Sequence, residues 1–322
     1  MARIIGTIEA RDDYTHPLGP EPNFNESMYF NFFDPNRKVG GFVRLGNRAN
    51  EGYAEATVTV FLPDGRVLFN FARPRIESND AFDAGGLCFE VVEPSDRLRT
   101  SYVGSAVELA DPTEMANPRK AFTDNPQRHV TIDLLHTAVG PMYGSARDES
   151  EASESHERQF AKAHYEQHMH VTGSIDVAGT GFEIDGYGLR DHSWGPRYWQ
   201  AISSYEWLTM NFGADFGAMV SIVRRDDGEK AGGVIVRGDD IDFIERATIE
   251  PEYEANGIYH RALRVGVETR AGKKLEITGT VRSFIPLRNR RAGMTTHVGE
   301  GMTEWQCEGR TGYGLSELLR QV

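Results

Sequence analysis

Between Gly186 and Trp199 the chain gathers, in Gly186-Tyr187-Gly188-Leu189-Arg190-Asp191-His192-Ser193-Trp194-Gly195-Pro196-Arg197-Tyr198-Trp199, a carboxylic acid, an imidazole, two phenols, a hydroxyl, two guanidiniums and two indoles. The glycines and the proline make the backbone turn or pass close to another segment. On a strand, side chains alternate between faces. Asp185, Tyr187, Leu189, Asp191 and Ser193 then share one face, and Ile184, Arg190 and His192 take the other. Tyr187 and Asp191 would stand about 13 Å apart at ~3.3 Å per residue, flanking a ligand without bonding each other. With Trp194 as a wall, a desolvated Asp191 could hold a proton at neutral pH and give it to an alkene, hydroxyl or carbonyl.

The same residues allow a structural reading. Arg190, Asp191 and His192 could form a buried polar knot that closes a barrel, with Trp194 plugging its end and Arg197 stacked on the indole. An arginine next to Asp191 could also hold that carboxyl ionised, which works against proton donation. Both roles can coexist in one segment.

The run from Gly186 to Gly195 resembles the Gly-Tyr, Asp-His-x-Trp-Gly signature of the carotenoid 1,2-hydratase (hydroxyneurosporene synthase) and AttH-like lipocalin-type proteins. Beyond the motif the likeness is one of pattern, from about Glu166 to Glu317. The resemblance implies two lipocalin-like barrels and a pocket for an apolar molecule. It also implies water addition, water removal or cyclisation at double bonds, with Asp191 as proton donor and Tyr187 and Trp194 lining the pocket. Asp191, Tyr187 and His192 are the candidate catalytic residues. Trp194, Arg190, Tyr205, Trp207, Tyr29 and Asn31 are the candidate substrate contacts, although Tyr205 and Trp207 read better as barrel core. No cofactor is expected on this reading. The alternatives are a non-catalytic carrier of a lipophilic ligand, and an oxygenase with iron or haem on His164, His168 and His170, which alternate on one strand face.

The elements that position these residues read as strands. Ser27–Phe33, Gly40–Gly46, Tyr53–Leu62 and Arg66–Phe71 alternate or run apolar between turn signals. The same texture continues through Leu87–Val92, Leu98–Val103 and His129–Leu134. It resumes from Tyr165 to Val177, from Tyr205 to Val223 and in the pair Ala262–Thr269 and Lys274–Val281. Residues 111–126 read as a loop and Gly314 to Val322 as helix-like. These elements predict an all-β chain of two antiparallel lipocalin-like barrels, 1–148 and 160–322, joined by a charged linker helix over 149–159.

A chain of 322 residues exceeds what one core usually serves. The formal charge of −13 repels nucleic acid and anionic membrane. No apolar run approaches the roughly 20 residues of a membrane span. The N-terminus lacks the apolar core of a signal peptide, so the expected location is cytoplasmic. Two distant cysteines, Cys88 and Cys307, give no disulfide framework. The expected partner is a hydrophobic small molecule, and the reading allows a homo-oligomer.

Overall fold

The computed structural model describes residues 2–146, 163–197, 202–291 and 294–321. About 69% of it is strand and 6% helix, so the chain is all-β. The first ten strands are β1 Ile4–Gly6, β2 Phe24–Asp34, β3 Val39–Arg48, β4 Tyr53–Phe61, β5 Val67–Ala72, β6 Phe82–Ala84, β7 Leu87–Glu93, β8 Arg97–Leu109, β9 Gln127–Ala138 and β10 Met142–Ala146. The others are β11 Ala163–Val177, β12 Thr180–Pro196, β13 Ser204–Asn211, β14 Gly217–Arg225, β15 Gly228–Arg237, β16 Asp240–Tyr253, β17 His260–Thr269, β18 Lys274–Arg291, β19 Met294–Cys307 and β20 Arg310–Gln321.

Two compact units emerge: residues 1–60, 68–108 and 127–201 form the first, and 61–67, 109–126 and 202–322 the second. Strands β1 to β12 make one twelve-stranded sheet. Because β9 pairs with both β11 and β8, the path β11-β12-β2-β3-β4-β5-β8-β9 closes on itself. Phe30 on β2 meets Phe89 and His136, with ring centroids 5.2 and 4.5 Å away, so its face is the interior of that circuit. The aromatic run Tyr29-Phe30-Asn31-Phe32-Phe33 is buried on both faces of its strand. A turn follows, in which Asp34 Oδ1 accepts from the Asn36 and Arg37 backbone amides at 2.8 and 3.0 Å.

Strands β13 to β20 form a closed antiparallel barrel in sequence order. Its interior is filled by side chains such as Leu208, Met210, Val220, Val265 and Ile277 around the fully buried Trp305. The even-numbered residues of β13 point inward. Tyr205 and Trp207 therefore lie half-buried on the opposite face, outside the core stripe they were expected to share.

Four expectations about elements need correction or lie elsewhere. The stretch from Gly314 to Val322, expected to be helix-like, is part of β20 as far as Gln321, because β13 and β19 flank it and satisfy its backbone on both sides. Residues 111–126 are not plain loop but a short 3-10 turn, Pro112–Ala116, and a helix, α1, Pro118–Asp124. The linker helix over 149–159 falls outside the described residues. The division near 148–160 assigned 163–196 to the second barrel, yet β11 and β12 pair with β9, β10 and β2 in the first sheet. Two similar β textures in sequence do not reveal with which half a hairpin hydrogen-bonds. Among the described residues no helix is long and apolar enough to cross a membrane. Cys88 and Cys307 are both free.

Glu300 on β19 is buried, and its Oε2 has no hydrogen-bond partner among the described residues. Burial alone pushes its carboxyl up to about 8. The folded protein then holds a proton that the unfolded chain releases near its ordinary 4.5. Stability from this group is present below about 4.5 and falls as pH rises towards about 8. Glu300→Gln should therefore be close to neutral at pH ~4.5 and raise the melting temperature at pH ~9. Equal melting shifts at both pH values would contradict this assignment.

Candidate functional site

Strand β12 carries the signature, and the alternation predicted for it holds. Ile184, Arg190 and His192 are buried on the inner face; Asp191 and Ser193 face outward. The glycines of Gly186-Tyr187-Gly188 let β2 lie tight against this strand. A Cβ on Gly188 would stand 1.8 Å from the Asn31 carbonyl oxygen, and one on Gly186 2.2 Å from that of Phe33. The signature thus combines glycines for close approach with polar groups for two separate clusters.

The inner cluster centres on Arg190, fully buried. Its Nη1 donates to Asp13 and to Tyr165 Oη (3.0 Å), and Nε and Nη2 donate to Gln167 Oε1 at 2.9 and 2.6 Å. Tyr165 Oη donates its one proton to Asp13 Oδ1 at 2.5 Å. Asp13 Oδ2 in turn accepts from the Ser95 amide at 2.5 Å. Gln167 Nε2 closes the net on the carbonyls of Ser95 and Gly140, both at 3.0 Å. Burial, together with the Asp13 charge, raises the Tyr165 hydroxyl well above the phenol range although Arg190 opposes this, so it stays a neutral donor. Arg190 is held charged despite burial by Tyr165 and Asp13.

His192 continues the cluster, with Nδ1 3.2 Å from Tyr165 Oη and Nε2 3.0 Å from Glu26 Oε1. His16, on the loop before β2, reaches the same Glu26 oxygen with Nδ1 at 2.6 Å. Its ring stacks on Trp194, centroids 3.8 Å apart and planes within 10°. Burial raises the Glu26 carboxyl, but hydrogen bonds from His16 and His192 and the charge of His192 outweigh it and hold the group at about 2.

The outer cluster forms across the sheet in register. Tyr143, Glu166, Asp191, Tyr29 and Arg44 are successive cross-strand neighbours on β10, β11, β12, β2 and β3. His164, two residues before Glu166 on the same face of β11, bonds Asp191 through Nε2, with Glu166 Oε1 3.6 Å from the same nitrogen. Tyr143 Oη donates to Glu166 Oε2 at 3.0 Å. The His164 side chain is 45% exposed, Asp191 18% and Glu166 1%, so solvent reaches the cluster from the His164 end. Burial lowers the His164 imidazolium, but the charge and hydrogen bond of Asp191, aided by Glu166, raise it well above the usual histidine range. Arg197 donates to Ser193 Oγ at 2.6 Å; burial and the nearby Arg44 charge lower its guanidinium to about 10.

The sequence candidates therefore divide. Asp191 and Tyr29 are brought together, and Asn31, two residues on, accepts from the Leu189 amide at 2.9 Å. Tyr187 shares their face but sits against His170, ring centroids 5.2 Å apart. His192, Arg190 and Trp194 lie on the opposite face, so none of them is beside Asp191. Adjacent positions on a strand point apart. Arg190 spends its charge on Asp13 rather than Asp191. Trp194 walls His16 and His192 instead of the outer cluster. The knot reading is thus met by Arg190, His192 and Trp194, without Asp191. Tyr205 and Trp207 belong to the second unit.

The three histidines proposed for iron are not gathered. His164 pairs with Asp191, His168 is buried opposite Leu189, and His170 Nε2 bonds Asp185 Oδ1 at 2.7 Å. At ~3.3 Å per residue the first and last are roughly 20 Å apart along the strand. Among the described residues, the groups whose ligand atoms converge within 4.8 Å are His16–Glu26–His192 and His164–Glu166–Asp191. Sequence reasoning missed Asp13, His16, Glu26, Tyr143, Tyr165 and Arg44. Only the polar string Arg11-Asp12-Asp13-Tyr14-Thr15-His16 offered a local signal.

Known structures share this fold. A candidate AttH protein from Nitrosomonas europaea is 17% identical with a TM-score of 0.65, over 99% of each chain. Kievitone hydratase from Nectria haematococca is 14% identical, TM-score 0.56, over 99% of this chain and 97% of its own. CghA with Sch210972 is 11% identical, TM-score 0.56, over 96% and 94% respectively. At these identities the likeness is one of fold. No protein of curated function matches the sequence significantly. The family pattern that does match spans residues 9–322, and the chain belongs to that family, described as a domain of unknown function, DUF7064.

Proposed function

We propose that this protein is a hydro-lyase or isomerase that moves a proton onto or off a hydrophobic small molecule through the His164–Asp191 pair. The observation that carries this reading is a part-exposed imidazolium held between two carboxylates, one of them backed by a buried phenol. An acid of this kind can protonate an alkene carbon or a leaving hydroxyl. In hydration, the pair delivers one proton to the alkene, water adds to the resulting cation, and the proton that water loses returns to the pair. Dehydration runs the same steps backwards, and cyclisation replaces water with an internal nucleophile. Arg197 places positive charge near Asp191, which offsets part of the negative charge of the two carboxylates. No step of this chemistry asks for a redox cofactor. Fold relatives lend support, one bearing the name hydratase.

A pure carrier needs a lumen for its cargo. The second barrel is filled around Trp305, which favours the catalytic reading over transport by that unit. The test is a panel of terpenoid, polyketide and aromatic alkenes and alcohols, incubated with the protein in deuterated water. Mass spectrometry should find gain or loss of water, or deuterium fixed on carbon. Binding of panel members with no exchange at any pH would favour the carrier and end the proposal.

A further inference from the structure

The inner cluster contains a group that the proton-transfer reading does not use. His16, Glu26 and His192 come from a loop, from β2 and from β12, and their nitrogens converge on one carboxylate oxygen. We infer that these three residues bind a divalent transition-metal ion of the zinc class. Two imidazoles and a carboxylate are the donor set such ions take, with a further position left for water.

Charge balance points the same way. Asp12, Asp13 and Glu26 bring three buried carboxylates to this end of the sheet, and Arg190 neutralises Asp13. Asp12 and Glu26 face the two imidazoles, and a divalent ion bound there would offset their negative charge.

Each ligand also has an outer partner that fixes its orientation, as metal ligands do. His16 Nε2 faces Asp12 Oδ1 at 3.4 Å, and His192 Nδ1 faces Tyr165 Oη at 3.2 Å. Glu26 Oε2 accepts from the His16 amide at 2.9 Å and from Asn79 Nδ2. Trp194 stacked on His16 and Phe82 edge-on to His192 hold the two rings from the sides. His16 stands on a loop, so its ring can shift the fraction of an ångström that metal bonds of ~2.0–2.2 Å require.

The test uses the full chain stripped with EDTA and then titrated with Zn²⁺ or Co²⁺. One equivalent should bind, Co²⁺ should give the visible bands of an N/O site, and the melting temperature should rise with metal. His16→Ala should abolish binding. Asp12→Asn, which leaves all three ligands in place, should weaken it roughly 10–100-fold and keeps the test open if His16→Ala does not fold. His164→Gln should retain the ion, which separates this site from the outer cluster. A wild type that binds no metal would overturn the inference. So would binding unchanged in Asp12→Asn, surviving in His16→Ala, or lost in His164→Gln.

Discussion

Arg190→Met should cost the first unit about 3–5 kcal/mol, since it leaves the buried Asp13 carboxylate without its cation. Methionine keeps much of the length and apolar volume of the side chain, so the effect reads the ion pair rather than a cavity. At ~2–4 °C per kcal/mol for a unit of this size, the melting temperature should fall by roughly 6–20 °C. The loss spreads further than one pair. Gln167 Oε1 gives up two donors, and Tyr165 Oη one. Changing Asp13→Leu in the same chain should recover a large part of the loss, because two apolar groups replace a pair whose desolvation was expensive. Calorimetry of the single and double variants is the measurement. A single variant within a degree or two of wild type would mean that the knot does not hold the unit together.

His164→Gln should have its large effect on turnover instead. Glutamine can still hydrogen-bond Asp191 but carries no transferable proton, so kcat should drop roughly 10²–10⁴-fold while substrate affinity barely changes. Asp191→Asn should fall in the same range. Stability should respond little, because a pair with one member 45% exposed is screened by water. The pH dependence has a definite sign. Asp191 and Glu166 raise His164, so the protonated acid persists above the ordinary 6.5 and activity should decline only as pH climbs towards about 10. Whatever stability the pair adds follows the same course, complete below about 6.5 and lost across that interval. A rate limb near 6.5, or full turnover in His164→Gln, would remove this residue from the mechanism.

Much of the architecture was legible because it is written in period two. Tyr53–Phe61 and Ala262–Thr269 alternate, the turns between strands carry Asp, Gly or Pro, and the strands follow. The faces of β12 were readable for the same reason. Chain pairing was not readable. Nothing in Ala163–Pro196 marks it as belonging to the sheet of the first half, and the stretch from Gly314 favours a helix until two neighbouring strands fix it. The site was less visible. Asp191 and Tyr29 each stood out in the sequence but not as cross-strand neighbours, and no local pattern pairs Asp191 with His164 or Arg190 with Asp13, which are 27 and 177 positions apart. Trp194 misled because proximity in sequence to Asp191 suggested proximity in space. A strand separates such neighbours by its own thickness.

The span of 177 positions between Asp13 and Arg190 also sets a schedule for synthesis. At ~5–20 residues per second, roughly nine to thirty-five seconds pass between the emergence of the first partner and that of the second. Throughout that interval β2, buried on both faces in the folded protein, has β3 beside it but not β12. The N-terminal acids and His16 wait with it, solvated and uncompensated. Closure of the first sheet on the ribosome is therefore a late event, and the nascent chain is a natural client for chaperones that shield unpaired strand edges.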